Sequence, residues 1–270
     1  MRRAGLGSSR VAAALGLLMA CLSVNRATGT DRPPCDLTAQ HAGLTFPVER
    51  IDVNWACRVQ QVVDDYTTVG RVGPIRTHLS DDIYADLLNH PAMIATLVNR
   101  LGIGPYRAEM RGPDEFWVND GDGMEGVVHL LHQDRRARIY YLEGFHDSAM
   151  FPRVYAKAVV LLAVDPVKEP QGTQSVDTML VTYTRLDNRF LAGLVSAIRP
   201  LVGNAVTRKL LRGFEAANRL AQAMIEHPDW VLREAMTPPA LESGEVAFLK
   251  QSIAGLPHVS FSQRTGPVIP

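Results

Sequence analysis

The chain is short of cysteine, of surplus charge and of long apolar runs, and each shortage excludes something. Its 270 residues hold three cysteines, so one bridge is the most that intramolecular pairing allows. Lys and Arg number 28, as do Asp and Glu, so no bulk charge draws the protein towards nucleic acid or an anionic surface. The conspicuous apolar run, Val11 to Ala20, is too short to span a bilayer. No Gly-x-Ser-x-Gly elbow occurs, so that hydrolase nucleophile is missing.

What is there begins with an export signal. Arg2 and Arg3 precede the apolar run and small residues follow it, which predicts a signal peptide over residues 1–27. Leu18-Met19-Ala20-Cys21 also resembles the lipobox of bacterial lipoproteins, in which Cys21 would be lipidated. Cleavage near Ala27 is the alternative, and the residues leave both open. The product is expected to be periplasmic, membrane-anchored through the lipid, or secreted. Residues 28–68 read as an N-terminal segment whose polar part, Thr30 to Thr45, looks like a leader. Cys35 and Cys57 pair in an oxidising compartment, closing a loop of about twenty residues that stabilises by roughly 3 kcal/mol. Two buried free thiols are the alternative.

From there the apolar spacing changes twice. Cys57 to Tyr66 has the spacing of a short helix, and Gly70 to His78 suits a first strand. Ser80-Asp81-Asp82 caps a helix over Ile83 to Asn89, and His90-Pro91 breaks it and starts another. Six runs rich in β-branched and aromatic residues follow: Tyr106 to Arg111, Glu115 to Val118, Met124 to Gln133, Arg138 to Phe145, Val154 to Asp165 and Val176 to Arg185. The turns between them are too short for helical crossovers, so the strands are antiparallel. Asp187 to His227 then carries one apolar stripe at helical spacing, with Pro200 predicting a kink or break and His227-Pro228 its end. A short helix over Glu242 to Ala254 lies in the tail, residues 229–270.

This order over residues 69–228, with the capped-helix stretch Ser80 to Pro91 and Val181 to Phe190 running into the long helix, resembles the START-like or helix-grip superfamily. That superfamily includes polyketide cyclases and lipid-transfer domains. The resemblance implies an α+β fold in which a curved antiparallel sheet wraps a long C-terminal helix, two short helices follow the first strand, and an apolar cavity lies between sheet and helix. It implies binding or transport of a hydrophobic small molecule or lipid in the cell envelope, without catalysis and without a cofactor. Trp117, Tyr141, Phe145, Tyr183 and Phe190, with Leu194 and Ile198 of the helix stripe, are then the expected lining. Lys157, on a strand face shared with Tyr155, Val159 and Leu161, would meet a ligand's anionic group if that face is concave, and would reach to water if it is convex. The alternatives are a cyclase- or hydrolase-like enzyme on the same fold and an envelope interaction protein with no ligand.

Three clusters invite chemistry. His129 and His132 have helical chelating spacing, but on a strand residues three apart point to opposite faces, so metal binding is not expected. Asn119 to Gly123 reads as a hairpin turn, since Met124 falls where a calcium loop wants a ligand. Glu143, His146 and Asp147 form the best acid/base candidate, at a strand end.

Overall fold

The computed structural model describes residues 35–148, 151–169, 174–187 and 195–256. The expected signal peptide, Cys21 and the residues after Leu256 lie outside them. A small hairpin, β1 (Gln40–His41) and β2 (Leu44–Thr45), and one 3-10 turn at Val48–Arg50 lead into α1 (Val53–Asp64). Asp52 caps α1 by accepting from the Asn54 amide at 2.8 Å. Cys57, within α1, is bridged to Cys35. The stretch read as a polar leader is therefore structured from Cys35 onward. Phe46, Val48 and Ile51 behind it are buried, and the bridge and hairpin hold in place a segment too poor in apolar residues to announce itself.

β3 (Thr68–Thr77) is followed by α2 (Asp81–Leu87) and α3 (Pro91–Arg100). Ser80 caps α2, accepting from the Ile83 amide at 3.4 Å. Pro91 opens α3, where its missing N–H would have had no intrahelical partner. Then come β4 (Arg107–Met110), β5 (Glu115–Asn119), β6 (Met124–Gln133), β7 (Ala137–Ser148), β8 (Phe151–Lys168) and β9 (Gln174–Leu186). The described chain ends in α4 (Val195–Glu226), α5 (Pro228–Met236) and α6 (Ser243–Ala254). Pro200 does not divide α4, which loses one ladder hydrogen bond in 32 residues and continues. Pro228 ends α4 as expected but also starts α5 from the first helical position, so the residues after it are not simply tail.

The fold is α+β. β3 to β9 form one curved, antiparallel, seven-stranded sheet in the order β3-β9-β8-β7-β6-β5-β4. Six strands meander and β3 closes on β9 at the far edge.

Both faces of the sheet are covered, and this is why β8 reads as the unbroken apolar run Val159 to Val164. Its even-numbered residues Leu162 and Val164 pack with Val72, Val176 and Leu180 beneath helices, against Met93, Leu97, Leu220, Met224, Val231 and Leu249. Its odd-numbered Val159 and Leu161 pack with Ile139, Tyr141 and Val181 beneath Val59 and Val62 of α1 and Phe46 of the N-terminal segment. Two cores thus share one sheet.

α4 crosses the first of these faces. Asn218 accepts from the Thr77 hydroxyl of β3, and Lys209 reaches the turn between β5 and β6, bonding the Asp120 carboxylate and, at 2.9 Å, the Asp122 carbonyl. Arg138, buried on the same face, donates to the Ala85 carbonyl at 2.7 Å and to Asn89 at 2.8 Å, tying the α2–α3 corner to β7.

Candidate functional site

An open cleft of about 850 Å³ lies on the α1 side of the sheet. Strand side chains alternate between faces, and the registers pair odd with odd: Trp117 with Val127, His129 with Tyr141, Glu143 with Lys157, Lys157 with Arg185. The odd-numbered residues of β5 to β9 therefore make its floor, with Gln61 of α1 at one border. Gly126 of β6 stands opposite Gly144 of β7. A Cβ on Gly144 would come within 2.4 Å of the Glu125 carbonyl, and one on Gly126 within 2.6 Å of the Glu143 carbonyl, so the close approach of these strands requires both glycines.

Aromatic rings flank the floor. Trp55 of α1 sits 4.7 Å from the ring of His129, a cleft residue, and 5.2 Å from that of Tyr141. The Trp117 indole is held by its N–H, which donates to Glu125 Oε1 at 3.0 Å. Phe145 and Tyr155 pack edge to face at 5.9 Å, and the Arg153 guanidinium covers Phe145 from 4.2 Å.

Between the rings runs a polar row. Glu143 accepts from the Tyr141 hydroxyl at 2.9 Å and pairs with Lys157 at 3.0 Å. Burial pushes the Glu143 carboxyl up, but the hydrogen bonds from Lys157 and Tyr141 outweigh it and hold the group below its ordinary range. Burial, then the hydrogen bond to Glu143, pushes the Tyr141 phenol well above its ordinary value. Both groups are thus fixed in one protonation state near neutrality, the carboxylate charged and the phenol neutral. A charged carboxylate between an ammonium and a phenol gives the cleft a row of oriented polar groups.

Comparison with known proteins adds little. No family model matches the chain, and no curated protein does. Among solved structures it is similar to a conserved protein from Geobacillus kaustophilus at 11% identity and a TM-score of 0.43, over 57% of this chain and 93% of that one. It is also similar to the di-domain ARO/CYC BexL from the BE-7585A biosynthetic pathway at 13% identity and a TM-score of 0.32, over 62% of this chain and 57% of that one. Neither score equates the folds.

The expected site residues fall into two groups. Trp117, Tyr141, Phe145, Lys157 and Tyr183 all lie on the α1 face, and three of them, Trp117, Phe145 and Lys157, line the cleft. Tyr141 and Tyr183 belong to the core beside it, where the Tyr183 hydroxyl meets His41 Nδ1 at 3.1 Å. Phe190 and Leu194 lie outside the described residues, as does the side chain of Ile198. The cleft therefore opens on the face opposite the one α4 crosses. The acid/base trio is dispersed: Glu143 faces the cleft, His146 faces the other side of β7, and Asp147 pairs with Arg153. The two histidines contradict the alternation expected of them. A bulge between Leu130 and His132 sets His132 opposite Ile139, so it shares a face with His129. Each takes its own carboxylate, Glu115 at 3.4 Å and Asp134 at 3.1 Å. Among the described residues no three ligating side chains gather as a metal site. Arg185, Trp55 and Gln61 went unread because nothing in a single strand or helix announces its register partner.

Proposed function

We propose that the protein binds, without transforming, a hydrophobic or amphipathic small molecule of lipid size in the cleft on the α1 face. The observation that carries this reading is the pairing of the aromatic side chains Trp117, Phe145 and Tyr155 with the hydrogen-bonded row Tyr141–Glu143–Lys157 in one cleft. Binding sites commonly span 300–1,000 Å³, and about 850 Å³ falls inside that range; Trp117, Val127, Phe145, Tyr155 and Leu186 give the cleft apolar surface among its charged residues. Burying apolar ligand surface supplies roughly 25 cal/mol per Å². The cell envelope is the proposed setting, because the Cys35–Cys57 bridge is of a kind that persists in oxidising compartments. Lipidation of Cys21 would hold the binder at a membrane. The helix-grip architecture, with α4 in the palm of the sheet, is a separate proposal, because the cleft lies on the face of the sheet opposite α4 and not between sheet and helix.

The test is native mass spectrometry of the purified chain together with titration by a neutral fluorescent probe, N-phenyl-1-naphthylamine. A co-purifying small molecule, and about tenfold weaker probe binding after Trp117→Ala, are the expected results, since an aromatic wall is worth on the order of 1–2 kcal/mol. No bound species and no probe binding would sink the reading. An enzyme is the second reading, favoured by the unbroken chain Tyr141–Glu143–Lys157. It requires turnover that Glu143→Gln abolishes while probe binding persists.

A further inference from the structure

Resting on that binding reading, we infer that the ligand of the cleft carries an anionic group, a carboxylate or phosphate, held between Lys157 and Arg185. The register places these two cations directly opposite each other on neighbouring strands and on the same face. Like charges so placed repel and weaken a sheet, so their juxtaposition inside a cleft calls for a counter-charge. The protein supplies only part of it. Lys157 has Glu143 at 3.0 Å on its far side. Arg185 has Asp65 at 3.7 Å, beyond ordinary hydrogen-bond reach, although the Arg185 side chain is only 21% exposed. Glu143, Lys157 and Arg185 therefore form a row across three strands in which two cations have one carboxylate in direct contact, Asp65 standing farther off at 3.7 Å.

The other carboxylates of the floor keep their charge but lie on β5 and β6, away from Arg185 on β9, and Arg111 lines the cleft with them. Glu115 lies 3.4 Å from His129, and Glu125 accepts from the Trp117 indole at 3.0 Å. Asp187, two residues beyond Arg185, stands at the exposed rim. What the floor offers to a newcomer is the guanidinium fork of Arg185 beside an ammonium, the arrangement that receives a bidentate oxyanion. Trp117 and Phe145, across the floor, would take the apolar body.

Two probes of one skeleton test this: 1-anilinonaphthalene-8-sulfonate, an anion, and N-phenyl-1-naphthylamine, its neutral counterpart. The anion should bind about tenfold tighter, and Arg185→Gln should remove that preference, because a charge-assisted hydrogen bond is worth about one to two decades in affinity. Arg185→Lys should keep part of it. Glu143→Gln frees Lys157 and should tighten the anion, a gain that a merely structural role for the row does not give. Far-ultraviolet circular dichroism and urea unfolding report that each variant is folded, and in the Arg185 variants the neutral probe should lose less affinity than the anion does. Displacing the bound sulfonate with a fatty carboxylate or with a lysophosphatidate separates the two sources of the charge, and either displacement supports the inference. Equal binding of both probes, indifference to Arg185→Gln, or displacement by neither amphiphile overturns it while the binding reading stands. Binding of neither probe overturns both.

Discussion

Glu143 shows at the scale of one residue how partners outweigh burial. Its carboxyl is held below its ordinary value, so the pairing with Lys157 and Tyr141 stabilises the fold fully above pH 4.5, the ordinary value, and is lost as pH falls through the folded-state one. Carbon-detected titration should give Glu143 a midpoint below 4.5, and Lys157→Met should move it upward. A midpoint unmoved by Lys157→Met would mean that the pair does not set the charge. Gly144 makes a second point of the same kind. A Cβ there meets backbone, the Glu125 carbonyl at 2.4 Å, which cannot swing aside as a side chain would. Gly144→Ala should push β6 and β7 apart and cost about 1–3 kcal/mol, the usual range for overpacking, read from urea unfolding. An equally stable variant would show that the strands have room.

Among elements, α4 is fixed to the sheet at a distance from its main packing. Lys209 and Asp120 are only 16% and 12% exposed in their side chains, and Lys209 also reaches the Asp122 carboxylate at 3.3 Å. Removing either partner leaves the other charge partly buried and unmatched, which costs more than losing both. A double-mutant cycle with Lys209→Met and Asp120→Asn should therefore give a coupling of about 1–3 kcal/mol, and additive effects would show that the tie is incidental. The strands of this sheet were legible from their β-branched runs and turn chemistry, and β6 matches the expected Met124 to Gln133 end to end. α2 was legible from Ser80 with Asp81 and Asp82. Faces were not. Val159 to Val164 is apolar on both sides because helices cover one side and α1 the other, so alternation is absent where it would have told which side Lys157 faces. The bulge that brings His132 round to the face of His129 leaves no mark in the sequence, and α5 was hidden because a proline that ends one helix can equally begin the next.

At the scale of the molecule, one sheet separates two cores of unequal support. The helix-covered core draws on α2 to α6, whereas the other is roofed by α1 and the short segment that Cys35–Cys57 ties to it. Stability need not be uniform under such a division. The bridge closes a 22-residue separation and restricts the unfolded chain by roughly 3 kcal/mol in the chain-entropy model. That contribution falls on the thinner layer. Its remaining hold is the burial of Phe46, Val59 and Val62, each worth about 1.5–3 kcal/mol. Reduction should therefore loosen α1 before the sheet. Hydrogen exchange of the reduced protein should show the α1 amides, Val59 and Val62 among them, exchanging through a local opening. Amides of β8 and β9, paired on both sides, should still exchange only with global unfolding. Because α1 borders the cleft through Gln61 and packs Trp55 on the cleft residue His129, probe binding should weaken in step with that opening. If reduction instead accelerated exchange equally across α1, β8 and β9, the two cores would be one cooperative unit and the roof would not move independently of its floor.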